Sequence, residues 1–431
     1  MYLHAAPALS VGCRRFYKFG SLFGEPDSFK AKGGNRDEMK QTQTVERTPF
    51  PIYLFLTYFI FYCGHAVYNT YGTVFLSQNG FSQTLIGMMS SAATLVLVLI
   101  QPLWGVISDR SKNKNRIAGL LIALCGISGI AVYLMKDLWW IALCTMAVAV
   151  FFSPAITLQD NCTLEMTEGT RWDFGNIRLG GTLGYLACAA VMSLFIKDYN
   201  QIYWWIALFF IPAGLLLMCM HHHVGGHRRK EEKVQYRVLL QNKPLIWLIV
   251  FNIIYFVANS FSKYYTVYYS TELGATSFML SMTTVVSGLA EIPFFWYAGK
   301  IQKKLGIERY LILAALSLIL KHVLLCFVTD PWIAILVHAL NGCGFSTFNF
   351  CVLNYINENV PKSMRATSQS LNGILSTVFS SIIFAPVAGF CADFLGSGGT
   401  LLAGAGIMLA GIILFKCTFS RSIRRQSQTV M

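Results

Sequence analysis

QPLWGVISDRSKNKNR, residues Gln101–Arg116, decides what kind of chain this is. An apolar run closes at Gly105. Asp109 and Arg110 follow, then Lys112, Lys114 and Arg116, and a second apolar run begins at once. The pattern predicts two membrane helices joined by a short, basic hinge, with Gly105, Asp109, Arg110 and Lys114 as its working residues. Lys and Arg concentrate on cytoplasmic loops, so the hinge also orients the chain.

Composition agrees with a membrane. The 431 residues are 55% hydrophobic and only 13% charged, against roughly 25% charged in a soluble domain. Apolar runs of about 20 residues recur, each long enough to cross a bilayer. They are continuous rather than alternating, which excludes a β-barrel. The net charge of +14 would suit nucleic acid, but the cations sit in alternate loops, so they report topology instead. The 12 cysteines are scattered, mostly inside apolar runs, without a C-x-x-C, as small buried hydrophobes are, and predict neither disulfides nor a zinc site. No phosphate-binding G-x-x-x-x-G-K-[ST] loop occurs, and no cofactor is called for. HHHVGGH (His221–His227) and the glycines of RLGGTLGY read as a solvated loop and as close helix packing.

From Pro51 onward twelve spans are predicted, near 52–77, 84–107, 116–135, 138–160, 178–196, 201–221, 243–268, 277–299, 309–328, 332–356, 366–393 and 399–419. One set of alternate loops holds Arg110 to Arg116, Arg228 to Arg237, Lys300 to Arg309, and Lys362 with Arg365. The other holds only Lys136 and Lys197, each beside an Asp. Both termini and the basic loops are therefore expected in the cytoplasm. Trp139, Trp140, Trp204, Trp205 and Trp332 fall at span ends, where interfacial aromatics belong. Residues 1–50 read as a cytoplasmic tail or as sequence upstream of a start at Met39, with an organelle-targeting segment as the other reading. The charged loop 222–242 separates a first half (51–221) from a second (243–420), and 421–431 form a second tail. GKIQKKLGIER (Gly299–Arg309) repeats the basic hinge in the second half, with Lys303 in place of Asp109. The expected fold is all-α: twelve transmembrane helices in two pseudo-symmetric six-helix bundles, with a binding site between them.

Ionisable side chains in hydrocarbon cost at least ~2.5–3.5 kcal/mol, so each needs a partner or a wet cavity. Glu291 (SGLAEIPFF) and Lys321 fall midway along consecutive spans. Together they make a proton-coupling pair or a structural ion pair. Asp160, near the inner end of the fourth span, and Arg178, opening the fifth, either face a cavity and bind solute or snorkel to headgroups. Lys263 (NSFSKYYTVYY) points a cation at solute or snorkels, and Asn252 and Asn259 on the same span keep a polar face open. Asn69, Tyr71, Gln159, Asn341, Asn349 and Asn354 are interhelical hydrogen-bonders or cavity lining. His322 and His338 are proton relays or packing residues.

The chain resembles the major facilitator superfamily over Phe50–Arg421. The hinge matches its loop signature G-x-x-x-D-R-x-x-x-K, with Lys112 where the family's usual Gly stands. FGNIRLGGTLGY (Phe174–Tyr185), AEIP (Ala290–Pro293) and RATSQSLNG (Arg365–Gly373) resemble the oligosaccharide:proton symporters and the phenylpropionate-type permeases. That resemblance implies sugar binding by Asp160 and Arg178, with Tyr185 as the stacking aromatic. In the second half Lys321 stands where lactose permease has an Arg, and Asn341 and Gly344 where it has the coupling His and Glu. Glu291 lies about one turn from its eighth-helix carboxylate. The expected activity is proton symport of a small polar solute, a sugar or organic acid, by a monomer in the cell membrane. Expected partners are solute, protons and lipid, with no nucleic acid and no enzymatic chemistry. The alternatives are drug or metabolite efflux by proton antiport, and a non-transporting sensor or assembly partner.

Overall fold

The computed structural model describes residues 50–111, 113–167, 170, 172–220, 242–361 and 364–429. The first half holds α1 (Ile52–Gln78), α2 (Gln83–Arg110), α3 (Lys114–Leu134), α4 (Leu138–Thr167), α5 (Phe174–Met192) and α6 (Ile202–Cys219). In the second half α7 (Lys243–Ser260) runs through a 3₁₀ turn into Tyr265–Thr271. It is followed by α8 (Ser277–Leu305), α9 (Ile307–Phe327) and α10 (Pro331–Val337, continued by Ala339–Asn359). Last, α11 (Arg365–Thr377) passes through a π-helical stretch, Val378–Ile383, into α12 (Phe384–Thr429). Among the described residues nine helical stretches are long and apolar enough to span a membrane. Two more helices, α1 and α5, have 27 and 19 residues. The longest stretch, Thr367–Phe419, divides at Gly396, where φ of +69° breaks the helix. The chain thus has room for the twelve predicted spans.

The termini of several helices differ from expectation. The second span continues to Arg110, so Gly105, Asp109 and Arg110 are helical and only Ser111–Asn113 connect it to α3. Gly105 does not end the helix because nothing there requires a left-handed residue; its φ is not positive. Lys114 opens α3 and its ammonium pairs with Glu165 of α4 at 2.6 Å, which ties the hinge to the end of the fourth span. The fourth span continues to Thr167, and the fifth begins at Phe174. Polar residues end an apolar run in the sequence, but they do not end a helix whose polar face meets other helices. The tail 1–49 and residues 221–241 lie outside the described residues.

Glycines set the closest approaches within the first bundle. A Cβ on Gly184 of α5 would stand 2.2 Å from the Phe59 carbonyl oxygen of α1, and one on Gly180 2.6 Å from that of Phe55. The glycines of RLGGTLGY therefore bring α5 against α1, as small residues do between helices in lipid. Gly184→Val is expected to cost about 1–3 kcal/mol by overpacking, read as a lower unfolding temperature in detergent.

The halves meet at one end. Tyr71 of α1 donates to the Ser277 carbonyl at 3.1 Å and shares a 2.5 Å hydrogen bond with the Ser281 hydroxyl of α8. Asp393 accepts from the Gln83 and Thr84 amides at 2.8 and 2.7 Å, so a carboxylate of the second half caps the start of α2. Ser91 donates to the Ile382 carbonyl at 2.7 Å. These ties lie at the end away from the basic loops. Along α2 the packing is against Val378–Ile383 and the start of α12, and is minimal against α11 itself. The bundles therefore close at one end and part toward the basic loops.

Candidate functional site

Four side chains of α1 line one face: Tyr58, Tyr62, His65 and Asn69, spaced by four, three and four residues. This face meets α4 and α5. The Asp160 carboxylate accepts from the Tyr58 hydroxyl at 2.7 Å and lies 3.4 Å from Arg178 Nε. Arg178 Nη2 donates to the Tyr62 hydroxyl. Its guanidinium carbon sits 4.2 Å from the Tyr62 ring centre and 5.5 Å from that of Tyr58. Gly181 leaves the space this needs, since a Cβ there would be 2.8 Å from Arg178 Nη1 and 2.9 Å from the Tyr62 ring. The side chains of Arg178 and Asp160 are 17% and 13% exposed, which fits neither full burial nor a surface pair.

This corrects the placement expected of the pair. Because α4 runs seven residues beyond Asp160 and α5 begins four before Arg178, both lie inside their helices. At 1.5 Å per residue the carboxylate is about 10 Å from the end of α4. The partners of Asp160 and Arg178 are each other and the Tyr58 and Tyr62 hydroxyls of α1, so both side chains turn into the bundle. Deeper along the same face, Asn69 Nδ2 donates to the Tyr185 hydroxyl at 2.8 Å. Tyr185 and Tyr62 both meet the His65 ring edge-on, and no partner is described for either His65 ring nitrogen. Asp160, Arg178, Tyr185 and Asn69 are thus brought to one wall of the first bundle. Tyr58 and Tyr62 belong to it as well and were missed from sequence. Their spacing from His65 and Asn69 was the available signal.

The second half holds a separate polar cluster. Lys321 Nζ donates to Asn341 Oδ1 at 3.1 Å, Ser262 Oγ at 3.4 Å and Asn259 Oδ1 at 3.5 Å. The expected pairing with Glu291 is not formed, since among the described residues no ion pair joins them. Glu291 is half-buried, on the side of α8 away from the exposed Leu289, Ile292 and Trp296. Its backbone packs on Gly342 of α10, where a Cβ would be 2.7 Å from Glu291 N. Lys321 reaches over to α7 and α10 instead, because neutral oxygens there surround its amine. Lys263 is exposed in the 3₁₀ turn of the seventh span.

The remaining polar residues divide between the two readings. Gln159 is fully buried with Nε2 3.5 Å from Thr57 Oγ1, an interhelical contact. Asn252 donates to Asn372 and Ser376, both at 3.0 Å, joining α7 to the eleventh span. Asn349 and Asn354 bond within α10. His338 Nδ1 lies 2.8 Å from the Ala334 carbonyl oxygen, and His322 is fully buried with no partner described for either ring nitrogen.

Two helical bundles that meet at one end, each with a sheltered charged cluster among its helices, suit a transporter, and the sequence agrees. The MFS_1 like family matches residues 52–400. The chain belongs to this family. It is a multi-pass membrane transporter of the major facilitator type and not an enzyme. It is 23% identical over 335 residues to a maltose permease of Geobacillus stearothermophilus, covering 76% of this chain and 83% of that one. It is likewise 23% identical over 318 residues to the uncharacterized transporter YwbF of Bacillus subtilis (strain 168), covering 73% and 79%. The crystal structure of nucleoside transporter NupG superposes with a TM-score of 0.72 at 18% identity, over 85% of this chain and 98% of that one. That likeness establishes the shared fold.

Proposed function

We propose that this family member is a proton-coupled symporter that takes up a small polar solute by alternating access. The halves, 51–221 and 243–420, are its moving bodies, joined by the 222–242 linker. Lys and Arg favour the cytoplasm, so the end bearing the basic loops faces inward, both tails are cytoplasmic, and the described state opens inward. The observation that carries the reading is the Asp160–Arg178 pair, held against Tyr58 and Tyr62 inside the first bundle. A carboxylate and a guanidinium offer acceptors and a fork of donors to hydroxyl groups, and the buried Tyr58 and Tyr62 hold the guanidinium in place. Polyhydroxylated solutes suit that wall, and the similarity to a maltose permease and to a nucleoside transporter supports the same class.

Glu291 is the proposed proton carrier. It is half-buried at the middle of α8, it stands across from no described cation, and Pro293 interrupts the helix bonding two residues on. Lys321, in the same half but unpaired with Glu291, is the proposed second member of the coupling machinery. Glu291→Gln is expected to abolish uphill accumulation while solute exchange continues. A gradient of one pH unit supports about tenfold accumulation when one proton is coupled. Right-side-out vesicles would show this as solute equalising across the membrane. Undiminished accumulation by the variant would remove Glu291 from the coupling role.

A further inference from the structure

Among the described residues Lys321 is the one Lys, Arg, Asp or Glu that is fully buried, at 3% exposure. Its three contacts are neutral oxygens, two of them long at 3.4 and 3.5 Å. No carboxylate of the described residues lies within 4.0 Å. A buried cation held only by neutral groups keeps most of its desolvation cost. The contrast with the first half is direct, because Arg178 has Asp160 beside it. Lys263 follows Ser262 in the chain and adds a second cation to the same turn.

The charge balance sharpens in the loaded state. Asp160 and Arg178 cancel. Once Glu291 carries its proton it is neutral, and Lys321 and Lys263 are left positive. A neutral solute does nothing for that excess, whereas a carboxylate on the solute would answer it with charge-assisted hydrogen bonds. Asn341, Asn259 and Ser262 would then flank the carboxylate as neutral hydrogen-bonding groups.

We infer that the solute is an anionic polyol, a sugar acid. Its hydroxyl groups meet the Asp160–Arg178 and Asn69–Tyr185 pairs of the first half, and its carboxylate completes the Lys321 cluster of the second. This rests on the reading above that solute binds between the halves. It goes further in one respect: a monoanion entering with one proton carries no net charge. Transport is then indifferent to membrane potential, where symport of a neutral sugar is driven by it.

The probes are D-glucuronate, D-glucose and chloride, applied to the full chain in lipid nanodiscs for thermal stabilisation and in vesicles for uptake. The expected result is half-maximal stabilisation by glucuronate at a concentration at least about tenfold below that for glucose, with proton-driven net uptake unaltered by an imposed potential. Lys321→Gln is expected to cut the glucuronate-to-glucose preference by about tenfold or more, and Lys321→Arg to keep most of it. Equal response to the two sugars overturns the inference. So does a loss in Lys321→Gln that falls alike on both, or a full shift produced by chloride alone. If Arg178→Gln weakens both sugars while no acid preference exists, the binding site between the halves stands and the sugar-acid class falls. A wild-type protein indifferent to glucuronate overturns the inference outright.

Discussion

Arg178→Gln lowers solute affinity by roughly 10²- to 10³-fold. The variant removes the cation and leaves the Asp160 carboxylate, 13% exposed, with the Tyr58 hydroxyl as its described partner. Two charge-assisted hydrogen bonds to solute lost at about 1.5–2 kcal/mol each give the stated range, and the orphaned carboxylate costs stability besides. Arg178→Lys is expected to fare little better. A lysine delivers a point charge, and it cannot keep Nε toward Asp160, Nη2 on Tyr62 and a flat face over two rings together. The double variant Asp160→Asn/Arg178→Gln separates structure from function. It restores the unfolding temperature by removing the orphaned charge, yet counterflow stays lost if the pair touches solute. Recovery of transport in the double variant would make the pair a structural element. A cycle of this kind isolates the coupling of the two residues.

Gly87→Trp is the second large effect expected. A Cβ at Gly87 of α2 would stand 2.5 Å from the Ala385 carbonyl oxygen and 2.8 Å from the Tyr264 hydroxyl, and one at Gly389 2.3 Å from the Gln83 carbonyl oxygen. These contacts are the seam that shuts the end away from the basic loops, and backbone atoms leave an indole nowhere to go. Overpacking costs about 1–3 kcal/mol, enough to shift an open-to-closed ratio about 5- to 150-fold. The seam parts, the Tyr71–Ser281 hydrogen bond breaks, and turnover slows because the state closed at this end is depopulated. Alkylation of a reporter Ser281→Cys, in a background lacking other reactive thiols, should accelerate by at least the lower figure. Unchanged labelling together with normal transport would show that the seam tolerates a side chain there.

The membrane fold was legible because it depends on quantities that run along the chain. Twelve long apolar stretches, the alternation of basic loops and the Gln101–Arg116 signature need no knowledge of which helix touches which. The polar ends of spans were less legible. Asp160 looked like the exit from the membrane, but the helix runs on to Thr167, and Asp160 and Glu165 both meet partners on other helices. Hydropathy averages over faces and cannot tell such a face from a loop. The candidate site divides the same way. Asp160 and Arg178 stood out as charges in apolar runs, while Tyr58 and Tyr62 did not, since tyrosine is ordinary in a lipid-length helix.

The sequence by itself determined that this chain crosses the membrane many times, which way its loops are biased, and which few charges must be sheltered. Those are local matters of transfer energy and charge. Only the tertiary structure decided the partnerships. It set Arg178 against Asp160 and the Tyr62 ring, gave Lys321 three neutral oxygens instead of Glu291, and closed one end with Asp393 on the start of α2. Pairing is settled by distances between helices remote in sequence. Small residues such as Gly184 and Gly87 set those distances through how closely two backbones can approach.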